Sequence, residues 1–557
     1  MIRAFDTHKV RTVKELTGQL WQFTPCQGEH AGQSYTVATP SCWETYPDFG
    51  NYRGEGIYRT TFRGNGNLRL ECKGISHTAT LRLDGQEIAK HYNAYTIFDV
   101  IMTDVPEGIH TLEITADNRF SEESALHIPN DYKSYGGISR PVVLEQLSNL
   151  YIRQILVTPL HENGIWSTQI SLIIKNITPS SQKCSAKLTI HDREIIWNDL
   201  ELAPQEQRLL TGLLTFEQVE EWSMETPRLY YVNAVLEQNG AAVDDMIDRF
   251  GFRIVDIDDK HILINEKAVR IKGFCRHEDH PQFGCALPFA AMAADLDIIK
   301  HLGANSVRTS HYPNDELFLD LCDEQGILVW EENHARGLSL QNMQNPHFEP
   351  QAEQVIREMI PAHYNHPCIY IWGILNECAS ETEYGKECYA KQLSLIKELD
   401  QSRPHSFASC KFKTDLCLGL PDVVSYNIYP KWYHDSPVDS YLEDLYQWIQ
   451  TTGGKGKPFL ITEIGAGGIY GYRNPYHSKW TEEYQAEALK NQLHGVLENE
   501  NCCGVYIWQF CDIRVEEEWF GCRPRTMNNK GIVDEYRRSK LSYDVVKKIL
   551  SSYGNYF

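Results

Sequence analysis

After about residue 255 the chain settles into a rhythm that few folds can absorb. Eight short apolar runs alternate with helical segments: Val269–Phe274, Ser306–Thr309, Ile327–Trp330, Ile369–Leu375, Ser406–Ser409, Val423–Tyr426, Phe459–Thr462 and Gly504–Gln509. Helical patterns such as Ala291–Leu302 and Leu317–Gln325 lie between them. Runs of this length without polar alternation suit strands buried on both faces, the mark of a parallel sheet. Eight strand–helix units in roughly 300 residues predict a (β/α)8 TIM barrel, whose catalytic groups stand at the C-terminal strand ends. Those ends are dense in polar chemistry. Arg276-His277-Glu278-Asp279 follows the first run, His311 the second, and Glu331-Glu332-Asn333-His334 the third. Asn376-Glu377 follows the fourth, Asn427 and Tyr429 the sixth, Glu463 the seventh and Asp512 the eighth.

Two of these ends narrow the chemistry. Trp372-Gly373-Ile374-Leu375-Asn376-Glu377 and Phe459-Leu460-Ile461-Thr462-Glu463 each close an apolar run on a carboxylate. A pair of carboxylates from separate strands is what glycoside hydrolysis requires, one to protonate the leaving oxygen and one to attack the anomeric carbon or activate water. Either glutamate alone reads equally well as a helix cap or half of a buried ion pair.

The first half differs in kind. Leu68-Arg69-Leu70-Glu71-Cys72, Ala79–Gly85 and Thr111–Ala116 are short β-type runs punctuated by Gly, Asn and Asp. Leu83-Asp84-Gly85-Gln86 is a hairpin signal. Many short strands with few helical patterns predict sandwiches. Residues 1–147 are expected to form a jelly-roll-type β-sandwich, 148–255 an immunoglobulin-like β-sandwich, and 256–557 the catalytic barrel.

Composition excludes several classes. A net charge of −22 over 557 residues argues against nucleic acid or an anionic membrane as partner. The first residues lack an apolar core of the signal-peptide type, and no run approaches the ~18 apolar residues of a membrane span. Sixteen cysteines lie without framework spacing, several inside apparent strands, as Cys275, Cys410 and Cys511 do. They read as reduced thiols of a soluble cytoplasmic protein. The sequon Asn176-Ile177-Thr178 is taken as chance. No cofactor and no metal is expected, since no ligand spacing near Glu278 and Asp279 compels one. A homo-oligomer is expected.

Taken together, two sandwiches, a barrel, an Asn-Glu pair after strand four and a Glu after strand seven resemble glycoside hydrolase family 2, of the β-hexuronidase type. The segments that carry the resemblance are Gly273–Pro281, Val307–Pro313, Leu375-Asn376-Glu377 and Thr462-Glu463-Ile464-Gly465. It implies Glu377 as general acid/base, Glu463 as nucleophile of a retaining mechanism, and Asn376 as a hydrogen-bond partner of the sugar 2-hydroxyl. It also implies Tyr429 beside the nucleophile and Trp508 as a platform under the sugar. Asn528-Asn529-Lys530 matches the Asn-x-Lys signature of uronidases, in which a cation and an amide hold the sugar carboxylate. Arg523 and Arg525 lie in the same loop. Tyr429 with Tyr433, Asp131 in the first sandwich, and His311 agree with uronidase positions. Two features depart from glucuronidases: the segment from Glu331 to Ile369 is short, implying an open mouth, and Arg336 stands where a small apolar residue is usual. An inward Arg336 near the sugar 4-hydroxyl favours β-D-galacturonides slightly over β-D-glucuronides; a surface salt bridge is the competing reading. A neutral β-galactosidase and a catalytically silent carbohydrate-binding protein are the alternatives. Lys530 weighs against the first and the two glutamates against the second.

Overall fold

In the computed structural model, which describes residues 1–557, the first sandwich is built on two unusually long strands, Glu55–Cys72 and Phe98–Asp117. They pair antiparallel along most of their length, and their side chains alternate between buried and solvent-facing, the period of a half-buried strand. Register breaks on either side of Gly66, which lies at φ 68°, let the ladder bend. The hairpin signal at Asp84-Gly85 joins strands Thr78–Leu83 and Gln86–Tyr92. A second region packs a three-stranded sheet, Leu150–Glu162, Ile165–Asn176 and Gln207–Phe216, on a four-stranded one. Each sandwich encloses its own apolar core. Asn176 of the sequon is buried, its amide donating to the carbonyls of Ser180 and Ala203.

The remainder closes into an eight-stranded parallel barrel. Its strands are β1 Ile271–Cys275, β2 Ser306–Thr309, β3 Leu328–Glu332, β4 Ile369–Ile374, β5 His405–Ser409, β6 Val424–Asn427, β7 Phe459–Ile464 and β8 Cys502–Ile507. All are buried on both faces, which explains why their sequences carry no alternation. The expected helices form at Phe289–His301 and Glu316–Gln325. Asp315 caps the second by accepting from the Leu317 N–H, and Gly326 ends it at φ 69°.

The fifth unit departs from eight complete repeats. Between β5 and β6 only a 3-10 turn, Phe412–Thr414, replaces the α-helix. The connection is too short for a helix and two loops, and Gly419 and Pro421 break any helical pattern in it.

The first sandwich is not a separate bead. Tyr95 and Tyr132 belong to the barrel's own core cluster, and the Tyr95 ring stacks on Tyr312 with centroids 3.8 Å apart. The segment around Asn130–Gly136 enters the barrel mouth and is anchored by buried Glu516. That carboxylate accepts from the Ser134 N–H (2.6 Å), Lys133 Nζ (3.1 Å) and Arg53 Nη2 (2.6 Å). Tyr135 Oη donates to Asp279 at 2.8 Å.

Candidate active site

Glu377 follows β4, and Glu463 is the penultimate residue of β7. Both line one cavity of about 330 Å³ at the C-terminal end of the barrel. A larger cavity, about 530 Å³, lies where the three domains meet, among paired ionic groups such as Arg69, Glu71 and Glu145. It contains neither glutamate, so chemistry and cavity size point to different places, and chemistry decides.

The backbone delivers Asn376 and Glu377 through strain. Leu375 and Glu377 lie at φ 44° and 54°, a region that costs roughly 1–2 kcal/mol for a residue with a Cβ. Hydrogen bonds over-determine the turn. The N–H groups of Leu375, Asn376 and Glu377 donate to Asn333 Oδ1 (3.1 Å), Ala335 O (3.0 Å) and Ala408 O (2.9 Å).

A network joins the two carboxylates. Arg308 Nη1 donates to Glu463 Oε1 at 2.9 Å, and its Nη2 to Asn376 Oδ1 at 2.7 Å. Asn427 Nδ2 reaches Asn376 Oδ1 (3.0 Å) and Glu377 Oε1 (2.9 Å). Tyr429 Oη donates to Glu463 Oε2 at 2.5 Å. Asn376 Nδ2 is buried with no partner, a donor left available. Burial and then the charge on Glu377 push the Glu463 carboxyl up to about 7, against the opposing pull of Arg308 and Tyr429.

The cavity's other charged group is a clamp around Asp131. Arg336 Nη2 lies 3.1 Å from Asp131 Oδ1, and Arg523 Nη2 donates to Asp131 Oδ2 at 2.9 Å. Asn528 Nδ2 donates to the same oxygen at 3.2 Å. Burial raises the Asp131 carboxyl, but Arg336, Arg523 and Lys530 outweigh it and hold it below the usual carboxylate range. Lys530 forms no ion pair. Its Nζ sits 5.5–5.9 Å from the ring centroids of Tyr433, Tyr429 and Trp432, and burial lowers its affinity for a proton.

Most expected residues therefore converge. Asp131, Arg336, Glu377, Tyr429, Tyr433, Glu463, Trp508 and Lys530 line the cavity; Asn376 and Asn528 are buried in direct contact with Asn427 and Asp131, which line it. Arg336 lines the cavity, also donating to Asn130 Oδ1 at 2.9 Å, and its close carboxylate partner is the buried Asp131 rather than a surface group. His311 stands behind the lining. It stacks on Trp508 (5.0 Å, 17°), and its Nδ1 meets Glu332 Oε1 at 2.7 Å. Burial and then Arg308 hold its pKa well below the ordinary histidine value.

Arg525 is a correction. Its Nη2 donates to Glu535 at 2.5 Å in a separate surface depression, and the arginine that enters the cavity is Arg523. The reason is local: Arg525 and Thr526 adopt φ of 59° and 58°, which turns the loop between them and Asn528. Cys410 is likewise not inside a strand but exposed just after β5, whereas thirteen of the sixteen free thiols are buried.

Arg308 and Trp519 are partners that sequence reasoning did not nominate, and Glu332 and Asn427, noted at strand ends, were given no role there. Arg308 was visible as a charge inside an apolar run, between Val307 and Thr309. An arginine there is buried of necessity and requires carboxylates to meet it. One group outside the cavity, Asp323, His366 and Cys368, has the composition of a metal site. Asp323 is already committed, to His366 Nδ1 at 2.6 Å and the Cys368 N–H at 3.0 Å, and reads as a buried ion pair.

A barrel with two carboxylates converging on one pocket, linked through an arginine and two asparagines, defines an O-glycosyl hydrolase. The description "Glycosyl hydrolases family 2, TIM barrel domain" matches residues 255–553, and "Glycosyl hydrolases family 2" matches residues 150–253. The chain belongs to glycosyl hydrolase family 2. A solved GH2 β-galacturonidase from Eisenbergiella tayi, bound to galacturonate, is 58% identical over 100% of both chains, with a TM-score of 0.99. Among curated relatives, the β-glucuronidase of Streptococcus agalactiae is 26% identical over 520 residues, 84% of each chain. That of Paenibacillus borealis is 27% identical over 88% of this chain and 85% of its own.

Proposed function

We propose that the enzyme removes terminal β-linked hexuronic acids with retention of configuration, β-D-galacturonides in preference to β-D-glucuronides. The observation that carries this reading is the charge of the clamp. Three cations, Arg336, Arg523 and Lys530, surround a single carboxylate, Asp131, in the cavity that holds Glu377 and Glu463. A sugar carboxylate brings the missing negative charge. The likeness to the Eisenbergiella tayi β-galacturonidase supports galacturonide as the favoured epimer. The inward position of Arg336 supports it too, by offering guanidinium donors to the sugar.

In this mechanism the Glu463 carboxylate attacks the anomeric carbon as Glu377 delivers its proton to the glycosidic oxygen, and the aglycone leaves as a neutral alcohol. A glycosyl ester on Glu463 results. Water then attacks the same carbon, Glu377 takes its proton, and the ester bond breaks to give the β-hemiacetal. Asn376 Nδ2 donates to the 2-hydroxyl as positive charge develops on the ring. Trp508, backed by His311, forms the apolar floor.

The test has two parts. Aryl β-galacturonide, β-glucuronide and β-galactoside are compared by kcat/KM, with the order of preference expected to be as written. Glu463→Gln is expected to abolish turnover. Glu377→Gln is expected to spare nitrophenyl substrates, whose leaving groups need little protonation, far more than alkyl ones. An equal loss on both, or an initial α product by NMR, would overturn the assignment.

A further inference from the structure

Two thiols meet where the first sandwich touches the barrel. Cys42 ends the short strand Ser41–Cys42, which pairs with Gly137–Ile138 just beyond the segment that enters the barrel mouth. Cys285 lies in the loop between β1 and the helix Phe289–His301. The two residues are 243 positions apart in the chain, and their Sγ atoms are 3.5 Å apart.

The backbones are close as well. The turn before Cys285 is fastened by the His280 and Gly284 N–H groups, each donating to the other residue's carbonyl, at 3.0 and 2.7 Å. Gly284, at φ 58°, lies directly against Cys42: a Cβ there would fall 2.8 Å from Cys42 Sγ and 2.9 Å from its Cβ. A side chain at 284 would lift the loop off the strand. Packing alone does not call for sulfur at this place. Cys42, Tyr135 and Cys285 form a small cluster apart from the sandwich and barrel cores, and three residues bury little apolar surface. A covalent bond there would join segments that nothing short in sequence connects. The two sulfurs also differ in access. Cys42 is fully buried, whereas Cys285 is 9% exposed, in a turn whose Pro281 and Gln282 are exposed. Tyr135, packed in the same cluster, lines a surface depression of about 280 Å³. Burial and then the hydrogen bond to Cys285 push the Cys42 thiol up, so it keeps its proton.

We infer that Cys42 and Cys285 are an oxidation site, at which hydrogen peroxide closes a reversible disulfide between the first sandwich and the barrel. Cys285, the more open of the two, gives up its proton and attacks one peroxide oxygen. The S–O bond forms, the O–O bond breaks, and the departing hydroxide takes that proton and leaves as water. Cys42 Sγ then attacks Cys285 Sγ. The S–S bond forms, the S–O bond breaks, and the second hydroxide takes the Cys42 proton and leaves as water. Two thiols lose two electrons, and one peroxide becomes two waters. Closing the sulfurs from 3.5 Å to the ~2.05 Å of a disulfide takes side-chain rotation and a small approach of the loop.

The full-length reduced enzyme is treated with hydrogen peroxide, its remaining thiols are alkylated, and it is digested without reductant. A peptide joining residues 42 and 285 is expected, and dithiothreitol should remove it. The oxidised enzyme is expected to melt about 5 °C above the reduced one. Cys285→Ser should show neither the joined peptide nor the shift. In Cys42→Ser, Cys285 should stop at the sulfenic acid, which dimedone traps. The exposed Cys522 sets the dose. Complete oxidation of Cys522 without the 42–285 bond would overturn the inference and leave the two sulfurs as packing atoms only. A bond that forms only in unfolded protein, or one that leaves the melting temperature unchanged, would overturn it too.

Discussion

Two buried ionic clusters in this molecule look alike in composition and differ in balance. Where the two sandwiches meet, Arg11 engages all three nitrogens of its guanidinium. Its Nε and Nη2 donate to Asp244 at 2.9 and 2.8 Å, Nη1 to Glu145 at 2.8 Å, and Nη2 also to Ile152 O at 2.6 Å. Asp245 beside it accepts from the N–H groups of Lys9, Val10 and Arg11. In the barrel mouth, three cations share Asp131, and Arg336 Nε, Arg523 Nε and Asn528 Oδ1 are buried without partners. In the Arg11 cluster no side-chain nitrogen or oxygen is left without a partner, and each buried orphan would cost ~1–3 kcal/mol. A cluster that leaves several orphans together is shaped for something that arrives from outside.

The contrast can be broken from either side. Glu463→Gln and the substrate comparison aside, the largest effect is expected at the saturated cluster. Arg11→Ala should destabilise the protein by about 3–5 kcal/mol, since it leaves buried Asp244 without a cation and Glu145 with Arg69 alone. The denaturant midpoint of the first unfolding transition checks this, and kcat/KM below that midpoint should not change. A loss of activity without loss of stability would erase the distinction.

At the unbalanced cluster the sign reverses. Lys530→Ala should lower kcat/KM on uronides by about 2–4 kcal/mol in activation free energy, with no loss in melting temperature. Trace activity on neutral galactosides should persist. Arg525→Ala, outside the cavity, serves as the control and should leave both rates within about twofold. Equal loss on charged and neutral sugars would make Lys530 part of the scaffold.

Arg336 sits between the two conditions, half paired and half free. Arg336→Ala is expected to shift the galacturonide-to-glucuronide ratio of kcat/KM towards glucuronide by about tenfold. An unchanged ratio would move epimer choice elsewhere in the clamp.

The smallest effect sharpens the electrostatics. As the proposed nucleophile, Glu463 would have to be ionised to attack, so kcat/KM should fall as pH drops through about 7. The Tyr429 hydrogen bond lowers that pKa. Tyr429→Phe should therefore move the acid limb to higher pH by a fraction of a unit, read from the pH profile of the free enzyme. The same raised pKa has a stability sign. A buried carboxyl that prefers its proton costs nothing below the unfolded value of ~4.3, and costs progressively more as pH rises towards 7.

Much of this was legible in the chain. The eight barrel strands announce themselves because strands buried on both faces must be continuous apolar runs, and β2 and β7 begin where the pattern does. Glu377 and Glu463 stand out because a carboxylate at the end of such a run has no apolar neighbour to satisfy it. What the sequence concealed was pairing across distance. Nothing near Arg308 in the chain says that Glu332, Asn376 and Glu463 will converge on it, and nothing in the loop at 523–530 distinguishes Arg523 from Arg525 until backbone angles are known. The missing helix after β5 was concealed too, because a count of apolar runs registers strands and not what joins them.

The Asn130–Gly136 segment, held by Glu516, carries a consequence for how the modules stay together. Asp131 comes from the first sandwich and Lys530 from the far end of the barrel chain, yet both line one cavity. On the proposed function, a uronate bound there would tie both modules at once, and part of its binding free energy would go into the contact between them. By linkage, the ligand acts as a reversible staple, and a mixture kept well above its dissociation constant resists prying the sandwich from the barrel by about RT ln(1 + [L]/Kd). Occupancy of the pocket and cohesion of the molecule are thus one equilibrium observed from two places.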